Sequence, residues 1–353
     1  MPATDTATAS PQPTVSVIVP ARNEEACLGA CLQSLVSQDG VASEIIVVDD
    51  HSTDRTRQIA SSFSSASLRV IEAGPLPAGW TGKNNAVTAG SRVACGEWLL
   101  FTDADTIHLP GSLTRSLEEA KRRGAALLSY SPKQVVKGFW EKALMPVIFA
   151  ELAASFRPSQ VSDPRSSAAA ANGQYILITR EAYAAVGGHA AIAASLLEDV
   201  ALARAVKRSG RKIFFRYGGD AVQTRMYRTF AQLHEGWTKN LALLFPSPVR
   251  LAALRALEFV LIAASFAIAV ATALRGHRQP ALMAAMLGAV LYAVFLARIR
   301  RAHFSWNANI LALFGLPLFS YLLLRSKREH ASGKVHWKGR SYSEEGSLLD
   351  TDH

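Results

Sequence analysis

From residue 14 to residue 130 the chain repeats one pattern: a short apolar, β-branched run, a cluster of polar residues, then a longer amphipathic stretch. The runs VSVIV, IIVV, LRVI and WLLF have the length and composition of buried strands. This predicts strands at 15–20, 45–48, 68–71, 98–101 and 125–130. Between them, apolar residues at helical spacing predict helices over 24–36, 52–62, 84–94 and 113–123. Strands alternating with helices of this length predict βαβ units and a mostly parallel, Rossmann-like sheet. Ligands on such sheets bind beyond the carboxyl ends of the strands.

Beyond residue 130 the pattern changes. Residues 139–156 form a long apolar stretch interrupted by Glu141, Lys142, Pro146 and Glu151. It reads as a helix lying on a membrane surface or as a buried core helix. A strand is expected at 175–179 and a helix at 200–208, stopped by Gly210. Three apolar runs follow. Residues 256–274 hold one charge, Glu258, while 279–297 and 302–324 hold no Asp, Glu, Lys or Arg; Gly315 and Pro317 interrupt the third. About 20 such residues cross a bilayer as a helix. The expected organisation is a disordered lead-in over 1–13, an α/β domain over 14–250, two to three transmembrane helices within 251–325, and a polar tail over 326–353.

Composition narrows the class. Of the 353 residues, 49% are apolar and 19% charged, with a mean hydropathy of +0.13, which excludes a disordered chain. Three cysteines exclude a disulfide scaffold; Cys27 and Cys31 are expected to be buried, reduced thiols. The net charge of +10 is uneven: residues 1–150 carry 13 Lys/Arg against 15 Asp/Glu, and residues 151–353 carry 25 against 13. The basic half is also the apolar half. That points to an anionic membrane surface and away from nucleic acid.

Polar residues gather after three of the predicted strands. WLLF runs into Thr102-Asp-Ala-Asp-Thr106, placing Asp103 and Asp105 two apart beyond a strand. Two such carboxylates form a hard oxygen site suited to Mg²⁺ or Mn²⁺. Asp49 and Asp50 follow the second strand, where a carboxylate can accept from ribose hydroxyls or a uracil N–H. Asn23 and Glu24 follow the first. Taken singly, each has a simpler use as a turn or a helix cap.

Together, VSVIVPARNEE, VVDDHSTDRT, FTDADT and the later LLEDVALAR resemble the family 2 glycosyltransferases in order and separation, over residues 14–245. The resemblance implies a GT-A fold and a nucleotide-sugar donor. It assigns Asp50, with Asp49 as the near alternative, to the nucleoside, and Pro20, Ala21 and Glu24 to the same pocket. It assigns Asp105 to the metal, Asp103 to the metal or the ribose, Asp199 to the general base, and Glu198 to orienting it. Gly173, in NGQYILITRE, belongs to the acceptor side. The loop PLPAGWTGKNNA, with Lys83 placed for the donor diphosphate, is similar to one in bacterial members that act on membrane lipids, including those of hopanoid and carotenoid pathways.

Gln223-Thr-Arg-Met-Tyr-Arg228 stands where processive polysaccharide synthases carry Q-x-x-R-W. Here Arg225 follows Gln223 by two and no Trp follows, so Arg225 keeps the diphosphate role and a chain-clamping Trp is missing. Trp237 is a candidate for the acceptor groove, with an ordinary interfacial Trp as the equal alternative. Trp337 and Arg340, in WKGR, recur after the membrane segments of related enzymes and imply a tail that returns to the active site. Three complete crossings would put that tail on the far side, so the return requires a re-entrant segment or a further crossing. The whole reading is an inverting, metal-dependent, non-processive transfer of one sugar, UDP-linked, to a membrane lipid hydroxyl, with the catalytic domain on the cytoplasmic face of the inner membrane. The alternatives are a processive polysaccharide synthase, a nucleotidyl- or phosphosugar transferase, and a non-catalytic membrane scaffold with a degenerate site.

Overall fold

The computed structural model describes residues 13–63, 65, 67–332, 335–337 and 340–342. Residues 1–12 of the expected lead-in lie outside them. In chain order the elements are β1 (Val15–Ala21), α1 (Leu28–Val36), β2 (Ser43–Asp49), α2 (Thr56–Ser61), β3 (Leu68–Glu72), α3 (Gly82–Val93), β4 (Trp98–Phe101), β5 (Thr106–His108), α4 (Ser112–Arg123), β6 (Leu127–Ser131), β7 (Lys133–Gln134), α5 (Phe139–Ser155) and α6 (Pro158–Ser162). They continue with β8 (Ile176–Thr179), α7 (Arg180–Ala185), α8 (Glu198–Arg208), β9 (Ile213–Tyr217), β10 (Val222–Thr224), α9 (Phe230–Leu244), α10 (Pro248–Leu274), α11 (Arg278–Ile299), α12 (Trp306–Leu311), α13 (Gly315–Ala331), β11 (Val335–Trp337) and β12 (Arg340–Tyr342).

The chain forms two compact units. The first takes the residues up to Pro132 together with Val161–Gln223; the second takes Lys133–Gln160 and the residues from Thr224 onward.

The first unit is built on a seven-stranded sheet ordered β3-β2-β1-β4-β8-β6-β9. β1 pairs parallel with β2 and β4, and β2 with β3, because helical crossovers return each strand in the same direction. Val17, Ile18, Val19, Ile46, Val47 and Leu100 are all buried, as expected of strands covered on both faces. β8 runs antiparallel to β4 and β6. The alternation that predicts parallel strands stops at residue 130, and no single crossover helix feeds β8.

Two helices start later than their periodicity predicts, for one reason. Asn23 adopts a positive φ of 53°, and its Oδ1 accepts from Thr53 N at 2.9 Å. Ser52 Oγ accepts from Asn23 N, and Thr56 Oγ1 accepts from Glu24 N at 2.7 Å. Residues 22–27 and 50–56 are thus laced together as two facing loops, and α1 and α2 begin only beyond them.

The second unit is mainly helical. α5 is buried over most of its length, with Leu144, Val147 and Ile148 fully enclosed. They join Trp237, Leu241, Phe295, Leu316, Phe319 and Leu323 in one core. α10 and α11 form an antiparallel pair turned at Gly276, and α13 packs on α5, α9 and α10. Three stretches, Pro248–Leu274, Arg278–Ala302 and Trp306–Ala331, are long and apolar enough to cross a membrane. The third is not continuous: α12 gives way to a single 3₁₀ turn before α13. Among the thiols, Cys31 is buried as expected, Cys27 is half-buried and Cys95 exposed, and none of the three is in a disulfide.

Candidate active site

The candidate residues of the first unit gather at the carboxyl ends of β1, β2 and β4. The β1–β2 register sets Ala21 beside Asp49, and Pro20 beside Val48. Asp49 and Asp50 are both buried. Asp49 Oδ1 accepts from Ser52 N at 3.3 Å, which gives that carboxylate a turn-forming use. The Asp50 carboxylate lies 3.5 Å from His51 Nδ1, and its backbone N–H donates to Ala21 O at 2.8 Å.

Asp103 and Asp105 stand on a tight turn after β4, closed by Thr106 N donating to Asp103 O at 3.2 Å. The Asp105, Asp103 and Glu24 charges all reach the Cys31 thiol, which burial and these charges together raise well above the usual range. The Cys31 thiol itself lies 3.7 Å from the Asp103 backbone carbonyl.

Lys83 sits one residue inside the N-terminus of α3 and ties this corner to a second acidic pair. Its Nζ lies 2.7 Å from Asp103 Oδ1 and 2.7 Å from Glu198 Oε1. Burial works against the ammonium, but the two carboxylates outweigh it and hold the lysine pKa well above normal. Glu198 and Asp199 occupy the first turn of α8. Asp199 Oδ2 accepts from Gly173 N at 3.0 Å, and Oδ1 accepts from Val200 N at 2.8 Å. Burial, and then the neighbouring Glu198 charge, push the Asp199 pKa up to about 6 despite these bonds and Lys83. A carboxylate with that pKa, in a cleft beside other acids, has the profile of a general base.

Gly173 has a steric role that its sequence context does not reveal. A Cβ there would lie 2.9 Å from Lys83 Nζ and 3.1 Å from Glu198 Oε1. Both are ends of flexible side chains, so a substitution displaces the bridge more than the backbone. Gly173→Ala is expected to leave the thermal midpoint within a few degrees of wild type and to lower kcat about tenfold or more, since displacements near 1 Å cost up to about hundredfold. Steady-state kinetics beside a melting curve checks this.

Sequence reasoning missed Asn84. It is fully buried, and its Nδ2 lies 3.0, 2.9 and 3.1 Å from the carbonyls of Ile192, Ala193 and Ser195. Thr81 N donates to Ala193 O at 2.9 Å beside it. Asn84 thereby clamps the loop leading to Glu198 and Asp199 onto the turn that carries Lys83. The only prior signal is an Asn directly after the lysine, which does not distinguish a clamp from a surface amide. Asn84→Ala leaves these carbonyls without their side-chain donor, a cost of about 1–3 kcal/mol. It is expected to lower kcat more than it raises the donor KM, which steady-state kinetics over a range of donor concentrations resolves.

The remaining candidates belong to the second unit. Arg225 makes a two-pronged pair with Glu141, Nη2 to Oε1 at 2.8 Å and Nε to Oε2 at 3.1 Å. Burial opposes the Glu141 charge, but the arginine and the Lys137 and Gly138 N–H groups outweigh it and lower the pKa. Trp237 is a core residue, with its indole N–H directed at Met145 Sδ at 3.3 Å. Trp337 and Arg340 are register partners on the β11–β12 hairpin.

The oxygen-rich donor set can be weighed against a metal. Asp103 and Glu198 already direct one oxygen each at a single cation, the Lys83 ammonium. Among the described residues no three His, Cys, Asp or Glu side chains form a ready-made cage. A partial carboxylate set fits Mg²⁺ or Mn²⁺, which complete their shells with water and substrate phosphates.

Comparison with known proteins agrees with this architecture. The profile of the family described as "Glycosyl transferase family 2" matches residues 16–186. A 4,4'-diaponeurosporenoate glycosyltransferase of Staphylococcus aureus (strain USA300) is 30% identical over 340 residues, 93% of this chain and 88% of that protein. Among solved structures, the mannosyltransferase PcManGT from Pyrobaculum calidifontis, in complex with GDP-Man and Mn²⁺, aligns with a TM-score of 0.50 at 17% identity, covering 90% of this chain and 87% of that one. Glucosyl-3-phosphoglycerate synthase from Mycobacterium tuberculosis aligns at 0.44 and 22% identity, over 66% of this chain and 78% of that one. The fold is GT-A, and with a relative this similar over nearly its whole length, the chain belongs to glycosyltransferase family 2.

Proposed function

We propose that this glycosyltransferase moves one sugar from a nucleotide-sugar, UDP-linked, to a hydroxyl of a membrane lipid of carotenoid type, with inversion at the anomeric carbon. The observation that carries the reading is the joined cluster Asp103–Lys83–Glu198 with Asp199 held on Gly173 N beside it. Asp50, with Pro20, Ala21 and Glu24 around it, takes the nucleoside. Asp105 and Asp103 would hold Mg²⁺ or Mn²⁺, which when bound offsets the negative charge of the diphosphate; the complex of PcManGT with GDP-Man and Mn²⁺ supports a divalent metal beside the donor. Lys83 supplies a second positive charge to the same phosphates. Asp199 takes the proton from the acceptor hydroxyl as its oxygen bonds to the anomeric carbon and the bond to the diphosphate oxygen breaks. The nucleoside diphosphate leaves with that electron pair. The apolar second unit holds the acceptor in the bilayer, with catalysis on the cytoplasmic face of the inner membrane. The substrate named for the staphylococcal relatives supports the acceptor class.

A second reading concerns the acceptor group. The -oate of the relatives' substrate names a carboxylate. A carboxylate is already ionised at neutral pH and needs no base. The poised pKa of Asp199 favours the hydroxyl.

Donor binding to the detergent-purified chain, measured across UDP-, GDP- and CMP-sugars with and without Mn²⁺, tests the proposal. Metal-dependent binding of a UDP-sugar is the expected result. A folded protein that binds no nucleotide-sugar overturns it.

A further inference from the structure

We propose that only α10 and α11 cross the bilayer, and that α12–α13 enters it and returns on the side from which it came. The residues preceding Pro248 and those following Ala331 then share one face of the membrane. The inference rests on the membrane reading above and is independent of the donor and acceptor assigned there.

A ring of charges marks the level at which α10 enters and α11 leaves. Arg255 lies 3.1 Å from Glu151 and 2.6 Å from Glu258, while Arg298 lies 2.7 Å from Glu258 and also contacts Glu151. Arg255 and Glu258 sit near the start of α10, and Arg298 near the end of α11. The four charges cancel, as charges at a membrane boundary must to avoid an uncompensated ion. Leaving α11, the chain therefore starts from this level.

Three bonds then follow α12–α13 relative to it. Tyr292 OH donates to Ile310 O at 3.1 Å. Tyr292 precedes the end of α11 by seven residues, about 10 Å along a helix. Its side chain leans toward the helix N-terminus, away from the charged level. The end of α12 is therefore deep. Ser320 Oγ, however, donates to Ala252 O at 2.9 Å, and Ala252 lies outside the charged level, in the first turns of α10. Between Ile310 and Ser320 the chain has come back. Beyond it, Ser326 Oγ accepts from Ala242 N at 2.9 Å, and His330 Nε2 lies 2.7 Å from Lys239 O. The second half of α13 thus runs along α9, before α10 begins, and the strand β11 also lies against α9.

Charge and packing follow the same division. Arg325, Lys327, Arg328 and Glu329 all lie in the half that runs beside α9. The chain turns at residues 303–305, where His303 has a positive φ of 59°, and further along a Cβ on Gly315 would collide with the Ala143 carbonyl oxygen of α5, so the returning helix is pressed onto protein backbone. Non-helical backbone within a membrane region persists only where protein covers it or it lines a water-filled cavity. Half of the apolar stretch of α12–α13 is buried within the protein (50%), against 11% for α10 and 17% for α11. The two crossing helices expose Val270, Leu274, Met283, Met286 and Val294 most strongly for lipid to cover.

Single-cysteine labelling of the full chain in sealed membrane vesicles tests this. On a background carrying Cys27→Ser and Cys95→Ser, which leaves only the buried Cys31, the exposed positions Ala231, His277 and Ser332 are each changed to Cys and probed with a membrane-impermeant maleimide. The expected result is that Ala231→Cys and Ser332→Cys label from one side and His277→Cys from the other. Ser332→Cys labelling on the side of His277→Cys means three crossings and overturns the proposal. Labelling of all three from one side means that α10–α11 does not cross, and overturns it as well. A C-terminal reporter fused to the otherwise unchanged chain gives the same answer without substitutions.

Discussion

Replacing Asp199 by Asn lowers kcat by about 10²–10⁴-fold, the range expected for loss of a general base, and leaves the donor dissociation constant nearly unchanged. The amide is nearly isosteric, and its oxygen can still accept from Gly173 N. What disappears is the ability to take a proton. Single-turnover transfer and isothermal donor titration on the same preparation separate the two effects. A hydroxyl acceptor requires this loss. A kcat within a few-fold of wild type removes Asp199 as base and favours a carboxylate acceptor. The pH profile adds a second readout. Burial and Glu198 raise the Asp199 pKa to about 6, and only the ionised form can act as base. Turnover of the wild type should therefore fall as pH drops through about 6 and level off above it. The acid limb should vanish in Asp199→Asn.

Asp105→Ala is the second substitution expected to matter most. Removing one carboxylate from the set that would hold the metal should abolish Mn²⁺-stimulated donor binding and cut kcat/KM by about hundredfold or more, since metal stabilisation of developing charge is worth several kcal/mol. Asp103 cannot substitute easily, because its Oδ1 is engaged by Lys83 at 2.7 Å. Asp105→Ala also removes one of the charges that raise the Cys31 thiol pKa. The thiol should therefore react somewhat faster with a small alkylating agent, a change that reports on the site without any turnover. Donor affinity that remains equally Mn²⁺-dependent in this variant would move the metal away from Asp105.

The parallel strands were legible because strands covered on both faces carry no polar positions, so VSVIV, IIVV and WLLF read as single apolar runs. The acids at their ends were legible for the same reason: they interrupt apolar runs abruptly. The starts of α1 and α2 were not, because Asn23, Ser52 and Thr56 bond across the two loops, about thirty residues apart. Local capping preference carries no trace of such a partner. Lys83 was picked out for a phosphate, yet the structure shows it spanning Asp103 and Glu198, which lie far apart along the chain. Asn84 was invisible because an amide whose two N–H groups are shared among three distant carbonyls looks, in sequence, like any other Asn.

The sequence by itself determined the strand–helix alternation, the identity of the acids and the three apolar segments, since these depend on periodicity and residue type within short windows. Tertiary structure alone decided which charges meet, and it set the Asp199 pKa, which depends on burial and a neighbouring charge. It grouped residues 133–160 with the C-terminal helices rather than with the sheet around them in sequence. It also decided that the third apolar segment, whose composition is that of a crossing helix, packs against α5, α9 and the first turns of α10. Hydropathy records what a segment can be buried in, whether lipid or protein. Only Ser320 on Ala252 and Gly315 against Ala143 show which of the two covers it.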